Sequence, residues 1–109
     1  MYKESKYHNK PCVVEGVRFD SRKEARRYGV LCLLLRAGEI KDLKRQVKFE
    51  LIPKQGEERA AYYKADFTYY EKQGDEWVYI VEDCKGVKTD VYKLKRKLML
   101  QKGYKIRET

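Results

Sequence analysis

A single histidine, His8, stands in 109 residues, so the chain has no imidazole-rich metal site and no His-based acid–base pair inside a domain. The three cysteines, Cys12, Cys32 and Cys84, are odd in number and form no Cys-x-x-Cys pair. That pattern argues against both a disulfide framework and a zinc ribbon. Only two serines occur, Ser5 and Ser21, and the seven glycines build no phosphate-cradling loop. The longest apolar run, Val30-Leu31-Cys32-Leu33-Leu34-Leu35, is far too short to cross a bilayer. Residues 1–10 carry no apolar signal-peptide segment. A cytoplasmic protein with no membrane partner is the expectation. Any catalysis must fall to carboxylates and lysines.

What is present is charge and tyrosine. Hydrophobic residues make up 42% of the chain and tyrosines number ten, enough to build a core. Lys and Arg total 26 against 17 Asp and Glu, a formal net charge of +9. The excess is not spread evenly. Residues 85–109 hold nine basic and two acidic side chains, a net +7, which leaves +2 for residues 1–84. A basic segment of that kind suits a polyanion.

Pattern and turn chemistry predict a loose polar arm over 1–11, then a hairpin of Cys12–Glu15 and Val17–Phe19 around Gly16. That arm and hairpin, residues 1–20, precede a single core domain over residues 21–109. Asp20-Ser21 opens a helix whose apolar stripe is Ala25, Tyr28, Cys32 and Leu35, widened by Leu31 and Leu34, with Gly38 as its stop. Strands follow at Gln46–Ile52, Ala61–Tyr70 and Glu76–Cys84. Thr89 then caps a helix running to about Lys102, with Val91, Leu94 and Leu98 as its buried stripe. Gly103 ends that helix, and Tyr104–Arg107 forms a closing strand. The expected fold is α/β (α+β), in the order hairpin, α, β, β, β, α, β.

The segment Val81-Glu82-Asp83-Cys84-Lys85-Gly86 carries the chemistry. Alternation along a strand puts Asp83 and Lys85 on one face and Glu82 and Cys84 on the other. If the tight turn at Gln73-Gly74 leaves an even loop, Lys72 pairs with Asp75, and Asp66 falls opposite Val81, diagonal to Asp83 on the same face. Two carboxylates beside a lysine suit a hard cation such as Mg²⁺, which takes oxygen ligands together with water and phosphate. The same residues also suit an ordinary charged strand end, and an odd loop would send Asp66 to the other face.

Gly16-Val17-Arg18-Phe19-Asp20-Ser21-Arg22-Lys23-Glu24, Ala65-Asp66-Phe67, Val81 to Gly86 and Lys95-Arg96-Lys97-Leu98 together resemble the PD-(D/E)XK nuclease superfamily. Within it they resemble a phage-encoded, Holliday-junction-resolvase-like branch formerly catalogued as a domain of unknown function. Ala65 replaces the proline of the superfamily name. The resemblance implies a restriction-endonuclease-like αβββαβ core, with helices flanking a mixed central sheet. It also implies Mg²⁺ or Mn²⁺ held by Asp66, Asp83 and the Cys84 carbonyl, with Lys85 as the catalytic lysine. Glu24 would be a further acid of the site. However, Ser21-Arg22-Lys23-Glu24 is also a complete capping box, which accounts for Glu24 without any chemistry.

The second helix gathers the basic excess. Lys88, Tyr92, Lys93, Lys95, Arg96 and Lys97 are the candidate DNA-binding residues, the charged ones as phosphate contacts. The tyrosines Tyr62, Tyr63, Tyr69 and Tyr70 suit base stacking but equally suit strand propensity. The expectation is a Mg²⁺-dependent endodeoxyribonuclease acting on branched DNA in phage recombination or packaging. It would work as a homodimer in the cytoplasm of a bacterial host. The alternative is a DNA-binding or packaging accessory protein that keeps the fold and no longer cuts.

Overall fold

The computed structural model describes the backbone of residues 12–14, 16–19 and 21–109, and the side chains of 16–19 and 21–109. The expected arm over 1–11 lies outside the described residues. The elements are β1 (Cys12–Val14), β2 (Val17–Phe19), α1 (Arg22–Arg36), β3 (Ile40–Ile52), β4 (Ala61–Gln73), β5 (Glu76–Asp83), α2 (Asp90–Gln101) and β6 (Arg107–Glu108). The fold is therefore α/β (α+β), an αβββαβ order behind an N-terminal hairpin. The chain divides into two compact units after Lys41.

In the first unit, β1 and β2 pair antiparallel, with Cys12 opposite Phe19 and Val14 opposite Val17. α1 packs on this hairpin, and the Phe19 and Tyr28 rings meet at 5.0 Å. Ser21 caps the helix by accepting a hydrogen bond from the Glu24 backbone N–H. Ala25, Leu31 and Cys32 are buried and Tyr28 is half-buried, as the periodicity requires. Leu35, in the last turn, is exposed.

In the second unit the sheet order is β3-β4-β5-β6, with β4 and β5 antiparallel and β5 and β6 parallel, hence mixed. β3 starts six residues earlier than its alternation suggests. Asp42 and Gln46 sit at φ 54 and 53, so the strand's period is interrupted twice before Val47. Only the regular stretch beyond Gln46 reads as a strand in the sequence.

The β4–β5 turn corrects the expected register. Gln73 pairs with Glu76 and Thr68 with Val81, so Gly74-Asp75 forms the two-residue loop in place of Gln73-Gly74. Gly74 has φ 60, the positive angle that the first central position of a II′ turn demands. The pairing slips by two residues from the expected one. A slip of two preserves which face each side chain takes.

α2 also differs from expectation. Thr89 caps it as expected, its Oγ1 accepting from the Tyr92 N–H. The buried face, however, holds Tyr92 and Met99, with Leu98 partly buried, while Val91 and Leu94 are 64% and 58% exposed. Tyr92 turns inward because its ring packs among apolar neighbours while its hydroxyl reaches Glu108, a combination Val91 cannot offer. The core cluster is Leu51, Tyr63, Ala65, Val81, Tyr92, Met99 and Ile106.

The closing strand is shorter and later than Tyr104–Arg107. The Tyr104 N–H satisfies the Met99 carbonyl, ending α2 beyond Gly103 at φ 95. The Tyr104 ring packs on Phe49, and pairing begins only at Arg107, opposite Glu82. Among the described residues, no helix is long and apolar enough to cross a membrane.

The position of the α2 face is testable by urea denaturation. Met99→Ala should cost about 2–5 kcal/mol, because it empties a fully buried site. Leu94→Ala, on the exposed side, should change stability by no more than about 0.5 kcal/mol.

Candidate functional site

The observed register ends at Phe67 opposite Glu82. Asp66 and Asp83 lie just beyond that last pair, close enough for the Asp66 charge to act on the Asp83 carboxyl. Asp66 Oδ2 accepts the Cys84 backbone N–H at 2.8 Å. Its Oδ1 lies 3.5 Å from Gln46 Nε2. Asp83 Oδ2 accepts the Tyr63 hydroxyl at 2.5 Å. Asp66 is thus held at both oxygens, and Asp83 at one, by neutral donors. That is how metal-ligating carboxylates are commonly oriented.

The second oxygen of Asp83 is different. Asp83 is fully buried, yet its Oδ1 has no hydrogen-bond partner. The Lys85 ammonium is 3.7 Å from Oδ1, longer than a hydrogen bond. Lys85 Nζ in turn lies over the Tyr92 ring, 5.1 Å from its centroid. The Tyr92 hydroxyl donates to Glu108 Oε2 at 2.6 Å, and Arg96 Nη1 reaches the same oxygen at 3.0 Å.

Electrostatics follow from this packing. Burial pushes the Asp83 carboxyl up from its ordinary 3.8 to about 6. The Tyr63 hydroxyl opposes the shift, the neighbouring Asp66 charge adds to it, and Lys85 again opposes it. Tyr63 is itself held well above its usual range, first by burial and then by its bond to Asp83. It therefore stays a neutral donor.

An all-oxygen donor set containing one buried carboxylate oxygen with no partner fits a hard divalent cation. Among the described residues, no group of three or more His, Cys, Asp and Glu side chains converges to hold a metal. A cation here would rest on Asp66, Asp83 and the following Cys84 carbonyl, with water completing its shell, which suits Mg²⁺ better than zinc.

The remaining expected residues fall in several places. Glu24 lies in the first turn of α1, in the other compact unit, with its backbone N–H on Ser21 Oγ. Lys88, Lys93 and Lys97 are exposed, while Lys95 and Arg96 are half-buried. Tyr92 lies in the core cluster and not on an open face.

Two partners of the carboxylates have no obvious signature in the sequence. Tyr63 lies three residues from Asp66, so strict alternation would put it on the other face. Both nevertheless reach Asp83. Gln46 comes close to Asp66 from a position with left-handed backbone. Nothing in the residue type announces that conformation.

Because the buried form of Asp83 is preferentially protonated, its contribution to stability is fully present below pH ~4 and is lost as pH rises through about 6. Asp83→Asn cannot ionise but can still accept from Tyr63. In metal-free buffer the variant should therefore gain stability over the wild type as pH rises from ~5 to ~8, by on the order of 2–3 kcal/mol, with a corresponding rise in Tm. Calorimetric melts across that range, with a flat difference as the contrary result, check this.

The family model that matches the chain, described as a protein of unknown function (DUF1064), covers residues 4–109. No curated protein and no solved structure matches it. With nearly its whole length aligned to that one model, the chain belongs to the DUF1064 family.

Proposed function

We propose that this chain is a Mg²⁺- or Mn²⁺-dependent DNA endonuclease that hydrolyses phosphodiester bonds in branched, Holliday-junction-like DNA. The observation that carries this reading is the unpartnered, buried Asp83 Oδ1 beside Asp66 and the Lys85 ammonium. The resemblance of the same residues to the PD-(D/E)XK nucleases supports it. That resemblance also underlies the expected homodimer and the place in phage recombination or packaging.

A bound divalent cation would supply an acidified water and neutralise charge on the phosphate oxygens. Asp66 and Asp83 would hold it, kept in place by the Cys84 N–H and the Tyr63 hydroxyl respectively. Lys85 offers its ammonium to the negative charge that develops on phosphorus oxygens, and the Tyr92 ring keeps it aimed there. Tyr63 shields the inner side of Asp83 from water. Exposed Lys88, Lys93 and Lys97 extend a basic surface along α2 for the DNA backbone.

A labelled four-way junction incubated with Mg²⁺ should be cut by the wild type. Asp83→Asn and Asp66→Asn should each lower the rate at least about 10²-fold, and Lys85→Ala by about 10²–10⁴-fold. A wild type that binds DNA but cuts no substrate with either metal supports the accessory-protein alternative and ends the nuclease reading. The phosphate contacts have their own measurement. The salt slope of DNA binding should fall by about one for each of Lys93→Ala and Lys97→Ala.

A further inference from the structure

Further along the β4–β5 ladder from the carboxylates lies an open cavity of about 620 Å³ lined by Asp42, Lys44, Thr68, Tyr70, Tyr79 and Tyr104. Its volume is in the range of sites that hold small organic ligands. Three of the six lining residues are tyrosines. The Tyr70 and Tyr79 rings are 5.1 Å apart and tilted by 50°, and the Tyr79 and Tyr104 rings are 6.3 Å apart and near perpendicular. Tyr104 is braced from behind by Phe49 at 5.2 Å. The wall is therefore rigid, although Tyr79 is 37% exposed and open to a ligand. Thr68, fully buried, is also part of the lining.

The polar groups narrow the chemistry. Lys44 and Asp42 are both exposed and both in β3. One offers a cation to a phosphate, and the other offers a carboxylate acceptor to an amino group or ring N–H. Asp42 adopts φ 54, a left-handed conformation found more often at sites with a task than in plain strands. A flat π-surface with an amino edge and an attached phosphate is a nucleotide.

Position ties this cavity to the carboxylates. Tyr79, Val81 and Asp83 alternate onto one face of β5, and Tyr79 precedes Asp83 by four residues, about 13 Å along the strand. A strand of DNA engaged at Asp83 could pass a neighbouring nucleotide to this wall. A base still inside a duplex could not reach it, because both its π-faces are stacked.

We infer that this cavity takes an unpaired nucleobase of single-stranded DNA, stacked on Tyr79 with its phosphate on Lys44. The inference rests on the nuclease reading only in taking DNA as the substrate. It deepens that reading: among branched substrates, one with an unpaired nucleotide near the branch point would be bound more tightly than a fully paired four-way junction.

The test is equilibrium binding in EDTA, where no cleavage intervenes. Its probes are a short labelled oligodeoxyadenylate, an abasic strand of equal length and a fully paired duplex. Tyr79→Ala should weaken oligodeoxyadenylate binding by about 5- to 100-fold, leaving the abasic strand and the duplex unaffected. Tyr79→Trp, which keeps a stacking surface, should bind as the wild type does. Asp83→Asn should bind the oligodeoxyadenylate at least as tightly as the wild type. A Tyr79→Ala protein that holds the oligodeoxyadenylate as the wild type does, or that loses affinity equally for all three probes, overturns the inference. Those outcomes leave junction cleavage as a separate question. Failure of the wild type to cleave, with the Tyr79 dependence intact, would instead remove the nuclease reading and keep the cavity.

Discussion

The second unit is organised around the cost of burying one carboxylate. Asp83 has no exposed surface, and a buried charge is tolerated only with compensation from its surroundings. Three elements supply it: Tyr63 from β4, Lys85 from the loop after β5, and Tyr92 from α2, which holds Lys85 under control. The parallel strand β6 adds a fourth hold, because the Thr109 N–H bonds the Asp83 carbonyl and fixes the backbone that carries the side chain. At Asp83 Oδ1 the compensation is the Lys85 charge at 3.7 Å alone, with no hydrogen bond.

The neighbouring residue makes the contrast clear. Glu82 is equally buried, on the opposite face, and both its oxygens are satisfied. Tyr69 donates to Oε1 and Thr109 to Oε2. Tyr69 is braced by Arg107, which also grips Glu71 through two hydrogen bonds at 2.7 and 3.1 Å. Two adjacent buried acids therefore have different roles. Glu82 ties β4, β5 and the chain's last residues together, while Asp83 leaves one oxygen without a hydrogen bond, the atom on which the metal proposal rests.

Much of this was legible in the residues, and the rest was hidden for definable reasons. The element order and both N-caps, Ser21 and Thr89, follow from local chemistry that tertiary contacts did not override. Asp66 and Asp83 share a face because only the parity of the turn matters for that, and Gly74-Asp75 keeps the parity that Gln73-Gly74 would have had. The exact partner was not legible, since either two-residue loop satisfies the same alternation. The buried face of α2 departs from its hydrophobic pattern, in which Val91 and Leu94 rank above Tyr92. Burial instead selected the residue that fills space and also bonds Glu108. Gln46 is not legible because its left-handed backbone, not its residue type, brings it to Asp66, and Tyr63 reaches Asp83 against the alternation of its strand.

The same contacts change how the basic C-terminal segment is to be counted. Of its nine basic side chains, Lys85 is paired with Asp83, Arg96 with Glu108 and Arg107 with Glu71. These three act inside the fold, aiming a lysine and closing the sheet. The surface that a phosphate backbone could meet is therefore made by lysines such as Lys88, Lys93 and Lys97, not by the whole net +7. Lysines are compact, mobile charges that neutralise phosphate without fixing its geometry, whereas the paired arginines are the planar groups that would have fixed it. Under the nuclease proposal, such a grip would hold DNA without dictating register, and discrimination between DNA structures would fall to the proposed tyrosine wall, about 13 Å along β5 from Asp83.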